Sequence, residues 1–101
     1  MKINKQIDED LFVILKSDCH YIELYFVNKK NEIMNIPQDL ILCATPSFIS
    51  GFIYRVQNQF NEKFYLHREY DYTLNYLGKT WSLTNRATWD LAGANKPMDY
   101  E

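Results

Sequence analysis

Apolar and polar side chains alternate along residues 64–77, and this alternation is the strongest structural signal in the chain. One set consists of Phe64, Leu66, Tyr70, Tyr72, Leu74 and Tyr76, with Arg68 as its exception, and the other of Tyr65, His67, Glu69, Asp71, Thr73 and Asn75. A period of two residues places one set on a core and the other in water, which predicts a β-strand. Because these fourteen residues would extend roughly 45 Å, longer than an ordinary strand, we expect a bulge or bend near residues 68–71.

A hairpin is predicted where this stretch reaches Gly78-Lys79, a pair of residues that permits a two-residue turn. Pairing across that turn sets Tyr76 opposite Trp81. It also sets Leu74 opposite Leu83. Both pairs lie on the apolar side of the alternation, so the turn and the pattern favour the same register.

Two apolar segments, Leu11–Leu15 and Tyr21–Val27, are predicted to form an earlier antiparallel pair of strands. Placing Ser17 opposite His20 gathers six apolar side chains on one face, in the pairs Leu15 with Ile22, Val13 with Leu24 and Leu11 with Phe26. A slip of one residue would turn one strand's apolar set to the opposite face, which favours this register.

A third strand over residues 32–36 is predicted to complete a meander. The polar residues before it have turn chemistry, and Asn31 tolerates a left-handed backbone. A three-residue loop then gives two further pairs, Phe26 with Met34 and Leu24 with Ile36. The strand is predicted to end at Pro37, which cannot donate a hydrogen bond to a sheet.

Residues 45–60 are predicted to form an amphipathic helix. Thr45 is a good N-cap, and Pro46 suits the first helical position. Apolar residues then recur at steps of one, three and four, at Phe48, Ile49, Phe52, Ile53, Val56 and Phe60. Gly51 within the helix costs roughly 1 kcal/mol relative to Ala, which is compatible with close packing on a sheet. The preceding residues 38–44 fit either a buried helical turn or a short strand.

Together these elements predict an α+β fold in a single domain, residues 1–101. An antiparallel sheet of about five strands, made by the meander and the C-terminal hairpin, would pack against one amphipathic helix. Trp89 and Leu91 are expected to anchor a short turn closed by Gly93. Residues 95–101 are expected to form a frayed tail.

Charge and composition argue against several classes of partner. The formal net charge is −2 and the basic residues are scattered, so no direct binding to nucleic acid is expected. The longest apolar run, Leu11–Leu15, is too short to cross a bilayer and no secretory signal is present, so no membrane partner is expected. Cys19 and Cys43 lack the spacing of a disulfide framework. A cytoplasmic protein with reduced thiols is therefore predicted.

Three patterns point to chemistry, but each fits ordinary structure better. Gly78-Lys79-Thr80 resembles the end of a phosphate-binding loop, yet Thr73 stands where the loop needs a glycine and a strand is predicted to follow. The set Cys19, His20, Cys43 and His67 lacks the closely spaced pairs of a structural zinc site. Cys43 with His67 offers a nucleophile and a base, but Cys43 sits in an apolar run typical of an inert thiol. We therefore predict no catalytic residue, no cofactor and no metal.

Aromatic residues make up 16% of the chain and eight of them are Tyr, a residue enriched where a surface binds a partner. The predicted function is a small intracellular protein-binding module of the inhibitor or immunity type. Such a module neutralises another protein, for example a basic toxin or a nuclease. The alternatives are a subunit or adaptor of a larger assembly, and a small enzyme or ligand-binding domain. The oligomeric state is left open.

Two surfaces are candidates for partner binding. The polar side of the alternating stretch carries His67, Glu69 and Asp71, and it is preferred because its carboxylates suit a basic site. The mixed side of the first predicted hairpin carries Tyr21, Glu23 and Tyr25.

Overall fold

The described part of the chain is all-β, in a computed structural model that describes residues 2–17, 21–46, 48–49, 51–57, 62–83 and 91–94. These residues form two antiparallel sheets and contain no helix. The strands are β1 (Lys2–Asp8), β2 (Leu11–Ser17), β3 (Tyr21–Val27), β4 (Ile33–Met34), β5 (Ile41–Pro46), β6 (Tyr54–Arg55), β7 (Lys63–His67), β8 (Tyr70–Tyr76), β9 (Lys79–Leu83) and β10 (Leu91–Ala94). The predicted α+β class is therefore wrong.

The chain divides into two compact units, each built on one sheet. Unit 1 comprises residues 1–38 and 58–68, and unit 2 comprises residues 39–57 and 69–101. Unit 1 holds β1 to β4 together with β7, and unit 2 holds β5, β6 and β8 to β10. The single-domain assignment stays a prediction.

The unit 1 sheet runs in the order β1, β2, β3, and two strands then share the far edge of β3. β4 pairs with the end of β3 at Phe26 and Val27, while β7 pairs with residues 21–25. The buried face carries Val13, Leu15, Ile22, Leu24, Phe26, Phe64 and Leu66. These side chains share a face because directly paired residues lie on the same side of an antiparallel sheet.

The hairpin of β2 and β3 exists, but its register differs by two residues from the predicted one. Leu15 pairs with Leu24, and Val13 pairs with Phe26. Because side chains repeat every two residues, this shift keeps each apolar set on its predicted face.

The turn between β3 and β4 confirms part of the meander. Asn31 has a positive φ of 64°, and Phe26 pairs with Met34 as expected. The side-chain carboxamide of Asn28 accepts hydrogen bonds from the amides of Lys30 at 2.9 Å and Glu32 at 3.0 Å. The second predicted pair is wrong, since Leu24 lies opposite Phe64 of β7.

The unit 2 sheet runs in the order β10, β9, β8, β5, β6. Its buried apolar residues include Leu42, Ala44, Tyr72, Leu74, Trp81 and Leu83. Their register places Leu42, Leu74 and Trp81 in one row across three strands. Ala44, Tyr72 and Leu83 form the next row.

The β8–β9 hairpin is present, but its turn lies one residue earlier than the predicted Gly78-Lys79, and its register is shifted by two residues. Tyr76 pairs with Lys79 and Leu74 with Trp81, so the turn residues are Leu77 and Gly78. Both have positive φ, at 50° and 79°. Left-handed conformations at both central positions are what a two-residue hairpin turn of type I′ requires.

The predicted helix over residues 45–60 is wrong. Thr45 and Pro46 are the last residues of β5, where Pro46 pairs with Tyr70. The chain then turns through Gly51, whose φ of 80° is incompatible with a right-handed helix. Ile53 and Val56 are half-buried, and Phe60 lies outside the described residues.

Two other segments differ from expectation, and in a third the structure decides between two alternatives. β1 was not predicted, because its polar sequence shows little of the alternation of a half-buried strand. Residues 38–44 lead into β5, so the strand alternative is correct there. Leu91 and Gly93 belong to β10 and pair with β9 in place of the predicted turn. Trp89 and the predicted tail 95–101 lie outside the described residues.

The alternating stretch from residue 64 is not one strand. Arg68 and Glu69 form a turn that separates β7 from β8. The bend expected there is present, and it carries the chain from the unit 1 sheet to the unit 2 sheet.

Candidate functional site

A cluster of aromatic and charged side chains lies on the unit 1 sheet, on the face opposite to Leu24 and Phe64. We name it the tyrosine face, and it consists of Tyr21, Glu23, Tyr25, Lys63, Tyr65 and His67. All six residues come from the adjacent strands β3 and β7.

Strand pairing brings these residues together from distant parts of the sequence. Tyr21 pairs with His67, Glu23 with Tyr65, and Tyr25 with Lys63. In each strand they alternate with buried apolar residues, because successive side chains of a strand point to opposite sides. The burial that anchors Ile22, Leu24, Phe64 and Leu66 therefore also fixes the positions of the tyrosine face.

The tyrosine face presents large rings to solvent. Tyr21 is 47% exposed and Tyr65 is 51% exposed. The Tyr21 ring lies against the His67 ring, with 5.3 Å between centroids and a tilt of 50°. Rings with few rotatable bonds on a hydrogen-bonded sheet lose little entropy when they bind a partner.

Lys63 links the charged and aromatic parts of this face. Its Nζ donates a hydrogen bond of 2.9 Å to Oε1 of Glu23 and lies 5.2 Å from the centroid of the Tyr25 ring. The hydrogen bond to Glu23 raises the pKa of Lys63 above its ordinary value. The ammonium is thus held as a cation between a carboxylate and an aromatic ring.

The structure redistributes the residues predicted to bind a partner. Tyr21, Glu23 and Tyr25 join His67 on the tyrosine face, although the sequence assigned them to two separate surfaces. Glu69 and Asp71 belong to unit 2. Sequence reasoning did not single out Lys63 and Tyr65 as site residues, because only the pairing of β3 with β7 places them beside Tyr25 and Glu23.

A cavity of about 300 Å³ lies in unit 2. Its lining consists of Thr45, Gly51, Ile53, Asp71, Tyr72, Thr73, Ser82 and Leu83. Asp71, one of the predicted binding residues, is thus part of a concave site.

The connection between β5 and β6 exposes apolar side chains that sequence reasoning had assigned to a helix core. Phe48 is 72% exposed, Ile49 44% and Phe52 52%. Phe52 contacts Tyr54 edge-on, with 5.7 Å between ring centroids. The Tyr54 ring also contacts the Tyr70 ring edge-on, with 6.1 Å between the ring centroids and 88° between the ring planes.

The Tyr54 hydroxyl is held in its neutral form. Burial, a side-chain hydrogen bond with Tyr70 and the charge of that neighbour together raise the pKa of Tyr54 to about 12. Tyr54 as a residue is still 37% exposed. The contact links β6 to the start of β8, because the two tyrosines come from these two elements.

The structure describes two of the four cysteine and histidine residues that the sequence singled out, Cys43 and His67. Burial raises the pKa of Cys43, outweighing the opposite effect of Arg55, which favours the unreactive thiol over the thiolate. Cys43 lies in unit 2 and His67 in unit 1, while Cys19 and His20 lie outside the described residues. No group of three or more potential metal ligands occurs in the part of the chain that the structure describes. Within the same part, no helix has the length and hydropathy to cross a bilayer.

Comparison with protein-family models, with curated proteins and with solved structures gives no match for this chain.

Proposed function

We propose that this chain is a small protein-binding module of the inhibitor or immunity type, and that the tyrosine face of unit 1 contacts the protein it neutralises. The observation that supports this best is the convergence of Tyr21, Tyr25, Tyr65 and His67 from two paired strands. Tyr is prominent among the residues that dominate binding energy at protein interfaces.

The rigidity of this surface favours an inhibitor. Tight inhibitors gain affinity from surfaces that are already in their bound shape, because little conformational entropy is lost on association. The tyrosine face is built on hydrogen-bonded strands, and the contact of Lys63 with Glu23 and Tyr25 fixes side chains within it.

The charges of this surface set limits on the partner. Glu23 and Lys63 neutralise each other at 2.9 Å, so the face carries no strong excess of one sign. Binding to it is therefore expected to depend on aromatic packing and only weakly on salt. A toxin or a nuclease remains the proposed class of partner, and the cytoplasm remains the proposed location. The free thiol of Cys43 is compatible with that reducing compartment.

The test begins with the protein carrying an affinity tag in its own cell. Under the proposal, one partner co-purifies in stoichiometric amount, and adding the purified module to that partner abolishes the partner's activity at a one-to-one ratio. A partner that keeps full activity in the complex would favour the adaptor reading. A monomer that retains no partner at all would contradict the proposal.

Charge variants then locate the surface. Reversing Glu69 and Asp71 together, to Lys, is expected to leave the affinity for the co-purified partner unchanged, since neither residue is part of the tyrosine face on β3 and β7. A tenfold or larger loss of affinity, greater at low salt, would place the partner on the polar side of β8 in place of the tyrosine face.

A further inference from the structure

The cavity of unit 2 has a floor made by the polar side of three adjacent strands. Thr45 of β5 lies opposite Asp71 of β8, and Thr73 of β8 lies opposite Ser82 of β9. These pairs share one side of the sheet because Asp71 and Thr73 are two positions apart on the same strand. Gly51 and Ile53 add the connection between β5 and β6 to the lining.

The polar groups of the cavity are few and of related kinds. On the side of the sheet that carries Asp71, the described lining residues provide this one carboxylate and three hydroxyls, on Thr45, Thr73 and Ser82. Thr73 is only 8% exposed, so its hydroxyl lies at a depth where hydrogen bonds to a ligand are shielded from water. A small set of convergent polar groups within a concave, partly apolar lining is the usual composition of a small-molecule site.

The chemistry of the lining selects a class of ligand. None of the lining residues that the structure describes is Lys, Arg or His, so these residues offer nothing to neutralise a phosphate or a carboxylate ligand. An ionised carboxylate only accepts hydrogen bonds, whereas a protonated primary amine only donates them. Hydroxyl side chains both donate and accept, which suits hydroxyl groups on the same ligand. The volume of about 300 Å³ is at the lower end of the range for ligand pockets.

We infer that this cavity binds a small hydroxylated amine, with the ligand's ammonium on Asp71 and its hydroxyl groups on Thr45, Thr73 and Ser82. This binding goes beyond the proposed function, because none of the lining residues belongs to the tyrosine face.

Three matched probes test the inference by calorimetric titration of the intact chain at pH 6. Glucosamine carries an ammonium and several hydroxyls, glucose is its neutral analogue, and glucuronate carries a carboxylate. Glucosamine is expected to bind most tightly. Glucose should bind roughly tenfold or more weakly, because it lacks the charge-assisted hydrogen bond to Asp71. Glucuronate should show no measurable binding, because its carboxylate is repelled by that of Asp71. Amide signals of Thr73 and Ser82 should shift on addition of glucosamine.

Two variants and a control assign the contact to the cavity. Asp71→Asn should reduce glucosamine affinity to that of glucose, while Ser82→Ala, at an exposed position of β9, should weaken both sugars equally. Glu69→Gln removes an exposed carboxylate outside the lining and should change nothing. The inference is overturned if glucosamine produces no heat and no amide shifts, if glucose or glucuronate binds as well, or if Asp71→Asn binds glucosamine like the original chain.

Discussion

Leu77 has a left-handed backbone, with φ at 50°, at the tip of the β8–β9 hairpin. This conformation costs a residue with a Cβ about 1–2 kcal/mol, and it costs Asn less because Asn adopts left-handed backbone angles more readily. Leu77 is 60% exposed, so replacing it removes little burial. Leu77→Asn is therefore expected to stabilise the protein by about 0.5–1 kcal/mol in urea unfolding.

Asn31 provides the matched control for this prediction. It already has Asn at φ 64°, so Asn31→Leu should destabilise by a similar amount. If Leu77→Asn lowered the unfolding midpoint, the assignment of the turn to Leu77 and Gly78 would be wrong.

Tyr54 is expected to titrate abnormally. Its pKa of about 12 lies above the value of about 10 for an unfolded chain, so the folded state prefers the neutral hydroxyl. The stability that this contact contributes is then complete below about pH 10 and is lost as the pH rises toward 12.

Absorbance titration of tyrosinate should detect one group near pH 12 that disappears in Tyr54→Phe. In Tyr70→Phe the same group should titrate at lower pH, because the hydrogen bond and the charge of the neighbouring tyrosine both raise the pKa of Tyr54. An unchanged titration curve in Tyr54→Phe would show that this hydroxyl is not perturbed.

Among the elements, the connection around Gly51 allows a test between the predicted helix and the observed turn, because a substitution at Gly51 has opposite effects on stability in the two structures. Gly→Ala in a helix interior stabilises by about 1 kcal/mol. At φ 80°, with no atom within 4 Å of an added Cβ, the same change introduces backbone strain without a clash. Gly51→Ala is therefore expected to destabilise by roughly 1 kcal/mol in denaturant unfolding.

Gly78→Ala is the control for Gly51→Ala, because Gly78 also has positive φ and open space around its Cβ position. Both variants should shift the unfolding midpoint downward. If Gly51→Ala alone increased the stability, the result would favour the predicted helix over the observed turn.

The sequence predicted strands and their faces better than it predicted their partners. The apolar alternation of Leu24 and Phe26, and of Leu74 and Trp81, correctly placed these residues in a core. Both hairpin registers differ by two residues from the predicted ones. A pattern with a period of two cannot detect such a shift, because the same side chains stay on the same face. The helix prediction failed because Phe48, Ile49 and Phe52 recur at helical steps but are β-formers in a loop that exposes them.

At the scale of the whole molecule, the division into two units depended on information that local patterns lack. The alternation around Arg68 looks continuous, yet β7 pairs with β3 and β8 pairs with β5. Strand pairing across forty or so residues is decided by long-range packing, which sequence periodicity does not report. For the same reason, Lys63 and Tyr65 could be assigned to the tyrosine face only once β7 was paired with β3.

One affinity measurement decides whether the tyrosine face binds a protein partner. The co-purified partner is titrated calorimetrically with the double variant Tyr21→Ala, Tyr65→Ala, which removes two tyrosines that are 47% and 51% exposed. The control variant Phe48→Ser, Phe52→Ser removes exposed rings in unit 2. Circular dichroism first checks that the double tyrosine variant is folded. We predict that this variant binds the partner about 30-fold or more weakly, because the loss of central aromatic contacts usually has an effect of this size. The control variant is predicted to bind the partner with the affinity of the original chain. Full affinity in the tyrosine variant, with a loss in the control, would contradict the claim and assign the partner to the β5–β6 connection.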